Sequence, residues 1–144
     1  MDELKKILSK KGNNKTCPMA LIFRNDKLLI GLRHYIFGGK KLSVWTIPGG
    51  RCHDGETIEE TLKRELAEEI GIANFKIIEF IAEVAGARKG DIVFMFKVET
   101  EDEPKLLEPE KFSEWRWSAV SEIPSNFINQ EALDLINKKF VQKT

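Results

Sequence analysis

Several things are scarce in this chain, and each scarcity excludes a class of explanation. Its 144 residues include two cysteines, Cys17 and Cys52, far apart and without a Cys-x-x-Cys partner. Neither a disulfide framework nor a zinc site is indicated, and a reducing cytoplasm is the expected setting. The two histidines, His34 and His53, are isolated, which argues against a His-based metal site. No apolar run approaches the roughly 18 residues that span a bilayer, and the charged N-terminus lacks the apolar core of a signal peptide. Charge of one sign is also lacking: 23 basic and 23 acidic residues cancel, so no global field draws the chain to a nucleic acid polymer or an anionic membrane. No Ser-His or Cys-His arrangement for covalent catalysis is visible. There is no internal repeat, linker or low-complexity segment, and the composition is that of one soluble domain over 1–144.

The patterning that is present alternates strands and helices. Leu4, Ile7 and Leu8 have helical spacing within a short accessory helix at 1–12, with Gly12 as its stop. Residues 18–33 read as two strands joined at Asn25-Asp26, a hairpin signal. A basic loop is expected over 34–41, then a short strand 44–47 that Pro48 ends. Residues 57–70 read as a helix stopped by Gly71. Strands are expected over 75–84, 91–100 and 115–118, an acidic loop over 101–114, and a helix over 129–140. Interleaved in this way, the elements indicate an α/β domain with a mixed sheet between helical layers.

The 57–70 helix carries a conflict. At about 100° per residue, with Ile58 at zero, Leu62, Leu66 and Ile70 fall near 40°, 80° and 120°, marking the core side. Glu69 then lies at about 20°, Glu65 at about −20° and Glu68 at about −80°, while Arg64 stands near the solvent pole at about 240°. Two carboxylates thus border the apolar stripe and crowd a third at i, i+3, i+4 spacing, where like charges repel. A divalent cation resolves the conflict. Carboxylates without a neighbouring histidine or cysteine form a hard oxygen site suited to Mg²⁺ or Mn²⁺, and such an ion recruits phosphate oxygens.

Residues 50–72, GRCHDGETIEETLKRELAEEIGI, resemble the Nudix box G-x5-E-x7-R-E-U-x-E-E-x-G-U at every specified position, U being a bulky aliphatic. Residues 45–50, WTIPGG, are similar to the strand that enters the box, and 28–33 to the strand before it. EPEKFSEWRW at 108–117 is similar to a stretch of the MutT-type nucleoside triphosphate pyrophosphatases. The resemblance spans roughly 17–140 and implies the Nudix α/β/α sandwich. It further implies Glu65, Glu68 and Glu69 as metal ligands, completed by the Gly49 carbonyl and an acidic-loop glutamate, Glu110 or Glu108. Glu65 is the implied general base, with Arg64 orienting it. Glu56, expected to begin the helix, either complements the helix dipole or buttresses the box.

For the substrate, the resemblance implies Arg33 as a phosphate clamp and places Gly50 in the substrate site. Trp45, Trp115 and Trp117 are read either as base-stacking or as core residues. Asn129 is read either as a purine contact or as a helix N-cap bonded to Ala132. The implied activity is Mg²⁺-dependent hydrolysis of a small nucleotide, a (deoxy)nucleoside triphosphate going to monophosphate and pyrophosphate, with altered bases among the candidates. An ADP-ribose or nucleotide-sugar pyrophosphatase is the alternative within enzymes, and a non-catalytic nucleotide sensor the alternative outside them. A monomer and a homodimer are both compatible with the sequence.

Overall fold

The structure is a computed structural model, described here over residues 2–140. Strands β1 (Thr16–Arg24) and β2 (Lys27–Phe37) form the hairpin that Asn25-Asp26 signals. Both turn residues sit at positive φ, 52° and 64°, the backbone sense whose twist matches that of antiparallel strands. The two strands pair only beside this turn, at Phe23 with Leu28 and Arg24 with Lys27, and then separate. β1 runs parallel to β5 (Ile92–Glu99), which pairs antiparallel with β4 (Lys76–Ala85). β2 lies between β3 (Lys40–Thr46) and β6 (Phe112–Ala119), antiparallel to both. The six strands form one mixed sheet whose halves splay from a shared hairpin.

The segment that follows β3 fills this splay. Ala20 N–H donates to the Pro48 carbonyl at 2.8 Å, and Gly50 N–H donates to that of Pro18 at 3.1 Å. Gly49, at φ 144°, approaches so closely that a Cβ would strike the Pro18 carbonyl oxygen, so only glycine fits. β3 ends at Thr46, one residue short of the expected strand end, and the chain then bridges β1 antiparallel at Met19 and Gly49.

The basic stretch 34–41 departs from its expected loop. It is the far end of β2, a turn at Gly38-Gly39 and the start of β3, with Tyr35 opposite Leu42 and Ile36 opposite Lys41. Both glycines have positive φ, 54° and 82°, which lets a two-residue turn close the hairpin. Arg33 consequently lies inside a strand instead of ending one.

Helix α1 (Glu3–Leu8) is capped by Asp2 and stops at Ser9, short of Gly12. Residues 10–12 instead run beside the start of the next helix, where Ile58 N–H donates to the Lys10 carbonyl and Gly12 N–H to that of Glu56, both at 2.9 Å. Helix α2 (Ile58–Ile70) begins with a reciprocal capping box between Thr57 and Glu60 and ends on Gly71 in the left-handed region. Its Ile58, Leu62, Leu66 and Ile70 pack with Ile7 and Leu8 of α1 against Ala20, Ile22, Leu29, Phe96 and Val98. Helix α3 (Gln130–Phe140) covers the other sheet face, where Leu133 and Ile136 meet Leu21, Leu28, Ile30 and Met95. Alternation along β2 decides the sides: Leu28 and Ile30 face α3, and Leu29 faces α2. The layers are helix, mixed sheet, helix. No helix among the described residues is long and apolar enough to cross a membrane.

Candidate active site

The three glutamates of α2 differ in burial in the order their helical angles predict. Glu69, nearest the apolar stripe, is 7% exposed; Glu65 is half-buried; the Glu68 side chain is 52% exposed. Glu69 Oε1 accepts the Gly49 N–H at 2.9 Å, which ties the last turn of α2 to the segment inserted in the splay. Burial pushes Glu69 up to about 8, against the pull of the Gly49 bond and of Arg33, with Glu65 and Glu108 adding to the rise. Burial raises Glu65 as well, opposed by Arg64.

Arg64 corrects the helical-wheel picture. The loop 50–56 folds over the α2 face that was expected to meet solvent, and the guanidinium is enclosed by it. Its Nε and Nη2 donate to the two Glu56 oxygens at 2.9 and 3.0 Å, a bidentate pair. Nη1 donates to Glu65 Oε1 at 3.0 Å and to Glu68 Oε2 at 3.4 Å, and Nη2 also donates to the Arg51 carbonyl at 2.9 Å. The orientation of Glu65 by Arg64 is therefore present in the geometry. Glu56 does not begin the helix, because Thr57 is the N-cap. It is a buttress that also accepts from His53 N–H and the Thr61 hydroxyl, and Arg64 holds its carboxyl down at about 2. Beneath this group, Gly50 packs against the Glu65 carboxylate.

The two acidic-loop glutamates differ in position. Glu108 is half-buried and adds its charge to both Glu65 and Glu69. Glu110 sits on the exposed turn that leads into β6. Glu108, not Glu110, is the loop carboxylate whose charge reaches Glu65 and Glu69; its carbonyl accepts from Lys111 and Phe112 N–H, and its Oε2 accepts from Lys111 Nζ at 3.4 Å. Arg33 arrives from β2, its guanidinium 4.7 Å from the Tyr35 ring centroid and 5.3 Å from that of Phe112, with a buried Nε that has no hydrogen-bond partner.

Two expected substrate residues occupy structural positions. Trp45 is buried in the α3-side core beneath Arg116, whose guanidinium lies 4.2 Å from its ring. Asn129 caps α3, its Oδ1 accepting from Ala132 N–H at 3.0 Å while its Nδ2 donates to the Ala85 carbonyl. The core and N-cap alternatives thus describe what these side chains do in the fold. Sequence reasoning missed the pair between Arg51 and Asp91, at 2.6 and 2.7 Å across 40 positions, for which no local pattern gives a signal. It also missed Tyr35 and Phe112 beside Arg33.

Among the described residues no three His, Cys, Asp or Glu side chains are gathered tightly enough to hold an ion as they stand. Glu68 leans outward toward Arg64, away from Glu69. The donor set nevertheless fits a hard divalent cation: every candidate side chain is a carboxylate. Glu69 is buried at an energetic cost that a positive ion would offset.

A family model, the NUDIX domain, matches residues 15–143. The chain belongs to the Nudix family. This Nudix hydrolase carries Glu65, Glu68 and Glu69 in the helix that follows the inserted loop. It is 35% identical over 85 residues to an 8-oxo-dGTP diphosphatase of Buchnera aphidicola, covering 57% of this chain and 68% of that one. It is 28% identical over 123 residues to an RNA pyrophosphohydrolase of a Wolbachia from Brugia malayi, covering 70% and 76%. A MutT Nudix hydrolase from Burkholderia pseudomallei shares the fold with a TM-score of 0.69 at 21% identity, over 89% of this chain and 98% of that one. Nudix hydrolases generally use divalent metal ions, and the carboxylate set described above suits that habit.

Proposed function

We propose that this Nudix hydrolase cleaves (deoxy)nucleoside triphosphates to the monophosphate and pyrophosphate, with Mg²⁺ as the working ion. The observation that carries the reading is Glu69: a carboxylate buried at the end of α2 and pushed up to about 8, in the field of Glu65 and Glu108 with Arg33 opposite. Such a group is costly to ionise alone and is well suited to share a cation with a polyphosphate.

In this reading Glu69, Glu65, Glu68 and Glu108 hold the ion, with the Gly49 carbonyl beside them. When bound there, a divalent ion would polarise the phosphoryl oxygens and offset the charge of the leaving pyrophosphate. Glu65 accepts the proton of the attacking water at Oε2, since Oε1 is engaged by Arg64. Arg64 fixes the direction of that carboxylate through its fork on Glu56. Arg33, its guanidinium held beside Tyr35 and Phe112, supplies the positive charge for the substrate's phosphates. Trp45 and Asn129 are left out of the substrate contacts because their side chains are engaged within the fold.

The relative named as an 8-oxo-dGTP diphosphatase favours oxidised purine triphosphates within this class. A substrate panel tests the reading: canonical and 8-oxo triphosphates, a 5′-triphosphorylated oligonucleotide, ADP-ribose and UDP-glucose, each with Mg²⁺. Pyrophosphate release fastest from a free triphosphate supports it. Faster release from the oligonucleotide, or sugar phosphate as the main product, overturns it.

A further inference from the structure

Asp91 lies outside the box, in the turn entering β5, yet it is among the most enclosed charges in the chain. Its side chain is 4% exposed, whereas that of its partner Arg51 is 37% exposed. Arg51 donates Nη1 to Oδ1 at 2.7 Å and Nη2 to Oδ2 at 2.6 Å, and Nη1 also donates to the Asn14 carbonyl at 2.9 Å. The fork is thus closed on one carboxylate and one carbonyl. A planar bidentate pair fixes the position and the plane of both partners, which a single ammonium contact would not.

The turn that carries Asp91 is itself pinned. Asp91 N–H donates to the Arg88 carbonyl at 3.1 Å, the Asp91 carbonyl accepts from Gly86 N–H at 2.8 Å, and Ile92 N–H donates to the Lys15 carbonyl at 2.8 Å. A Cβ at Gly86 would collide with that of Asp91, so the two sides of the turn are in close contact there. On the other side of the tether, the backbone carbonyl of Arg51 is the acceptor for Arg64 Nη2 at 2.9 Å. The same guanidinium holds Glu65 Oε1. A continuous line of directed bonds therefore runs from the β4–β5 turn through the Arg51 side chain and carbonyl to Arg64 and Glu65.

We propose that Asp91 is a positioning residue: by clamping Arg51 it sets the carbonyl that orients Arg64, and through Arg64 it sets the Glu65 carboxylate. Asp91 touches neither substrate nor the reacting atoms. The proposal rests on the reading of Glu65 as the working base. Its geometric part, the coupling of Asp91 to Arg64, stands apart from that reading.

Two variants and a control test it. Asp91→Asn keeps the shape and removes the charge; Arg51→Lys keeps a charge and loses the fork. Val93→Ala trims the core of β5 nearby and matches a loss of melting temperature without touching the tether. In wild-type protein the Arg64 Nε–H, bonded to Glu56 Oε2, should give a resolved, slowly exchanging ¹⁵N–¹H resonance. In Asp91→Asn that resonance shifts and exchanges faster, in Arg51→Lys it does so to a smaller degree, and in Val93→Ala it is kept. With the best triphosphate, kcat falls about tenfold in Asp91→Asn while KM stays within about threefold. Combined with Arg64→Lys, the two losses are less than multiplicative because they act through one line of contacts. An Arg64 resonance unchanged by Asp91→Asn, kcat losses that follow melting temperature as in Val93→Ala, or losses that multiply would each overturn the proposal. Absence of activity in the wild type would overturn the functional reading and leave the resonance test of the tether in force.

Discussion

Gly50 and Glu65 are in direct contact: a Cβ placed on the glycine would lie 2.5 Å from Glu65 Cδ and from Oε1. The loop backbone thus forms one wall of the site that holds the proposed base. The group in the way is the end of a flexible side chain, so Gly50→Ala displaces Glu65 without opening the core. Turnover in Gly50→Ala is expected to fall at least tenfold. The melting temperature should drop by no more than about 4 °C, corresponding to about 1 kcal/mol. Steady-state kinetics beside thermal unfolding check this, and full activity in the variant would contradict it.

Glu69 predicts an unusual pH dependence for the metal-free protein. Its carboxyl is raised from 4.5 to about 8, so between those values the folded chain holds a proton that the unfolded chain has released. Stability therefore falls as pH rises through this window, by up to about 1.4 kcal/mol per unit. In chelator, the melting temperature should decline from pH 5 to pH 8, and Glu69→Gln should flatten the decline. A wild-type curve that rises over that range would refute the assignment of Glu69 as a carboxyl whose burial outweighs its bond to Gly49.

The acidic loop gives a paired test. Glu108→Gln should lower kcat by at least tenfold and weaken the activating effect of the divalent ion, whereas Glu110→Gln should stay within about twofold of wild type. Titrations of rate against ion concentration distinguish the two. Equal losses would mean that the exposed turn moves into the site.

The bidentate hold of Arg64 on Glu56 predicts that lysine is not a substitute. Arg64→Lys retains the charge and loses the fork, and kcat should fall about tenfold or more with little change in KM. Glu56→Gln should cost about 2 kcal/mol in stability, because it breaks the bidentate charged pair of a half-buried guanidinium. Denaturant unfolding measures the second quantity, and an unchanged midpoint would contradict it.

Those residues also show what was readable in the chain. The order of burial of Glu69, Glu65 and Glu68 follows from their angles on α2, because a helix fixes direction by spacing alone. The Asn25-Asp26 turn and the Gly71 stop were readable for the same local reason. Arg64 was misplaced at the solvent pole because the surface that encloses it, the loop carrying Arg51 and Glu56, is distant from it in helical geometry and folds back only in three dimensions. The 34–41 segment reads as a loop from its glycines and lysines, yet pairing with β2 makes it strand. Trp45 and Asn129 carried two readings each, and only the packing of Arg116 and the bond to Ala132 show which one the fold uses. Asp91 gave no signal because its partner lies 40 positions away.

In the proposed function, box carboxylates act with a divalent ion to release pyrophosphate. Phosphorus NMR of a nucleoside triphosphate incubated with the wild type and with Glu69→Gln, each in Mg²⁺ and in chelator, tests it most directly. The predicted result is monophosphate and pyrophosphate in equal amounts, formed in Mg²⁺ and not in chelator, with the Glu69→Gln rate at least tenfold lower. Diphosphate and orthophosphate as the products, or a rate indifferent to both the chelator and the substitution, would contradict it.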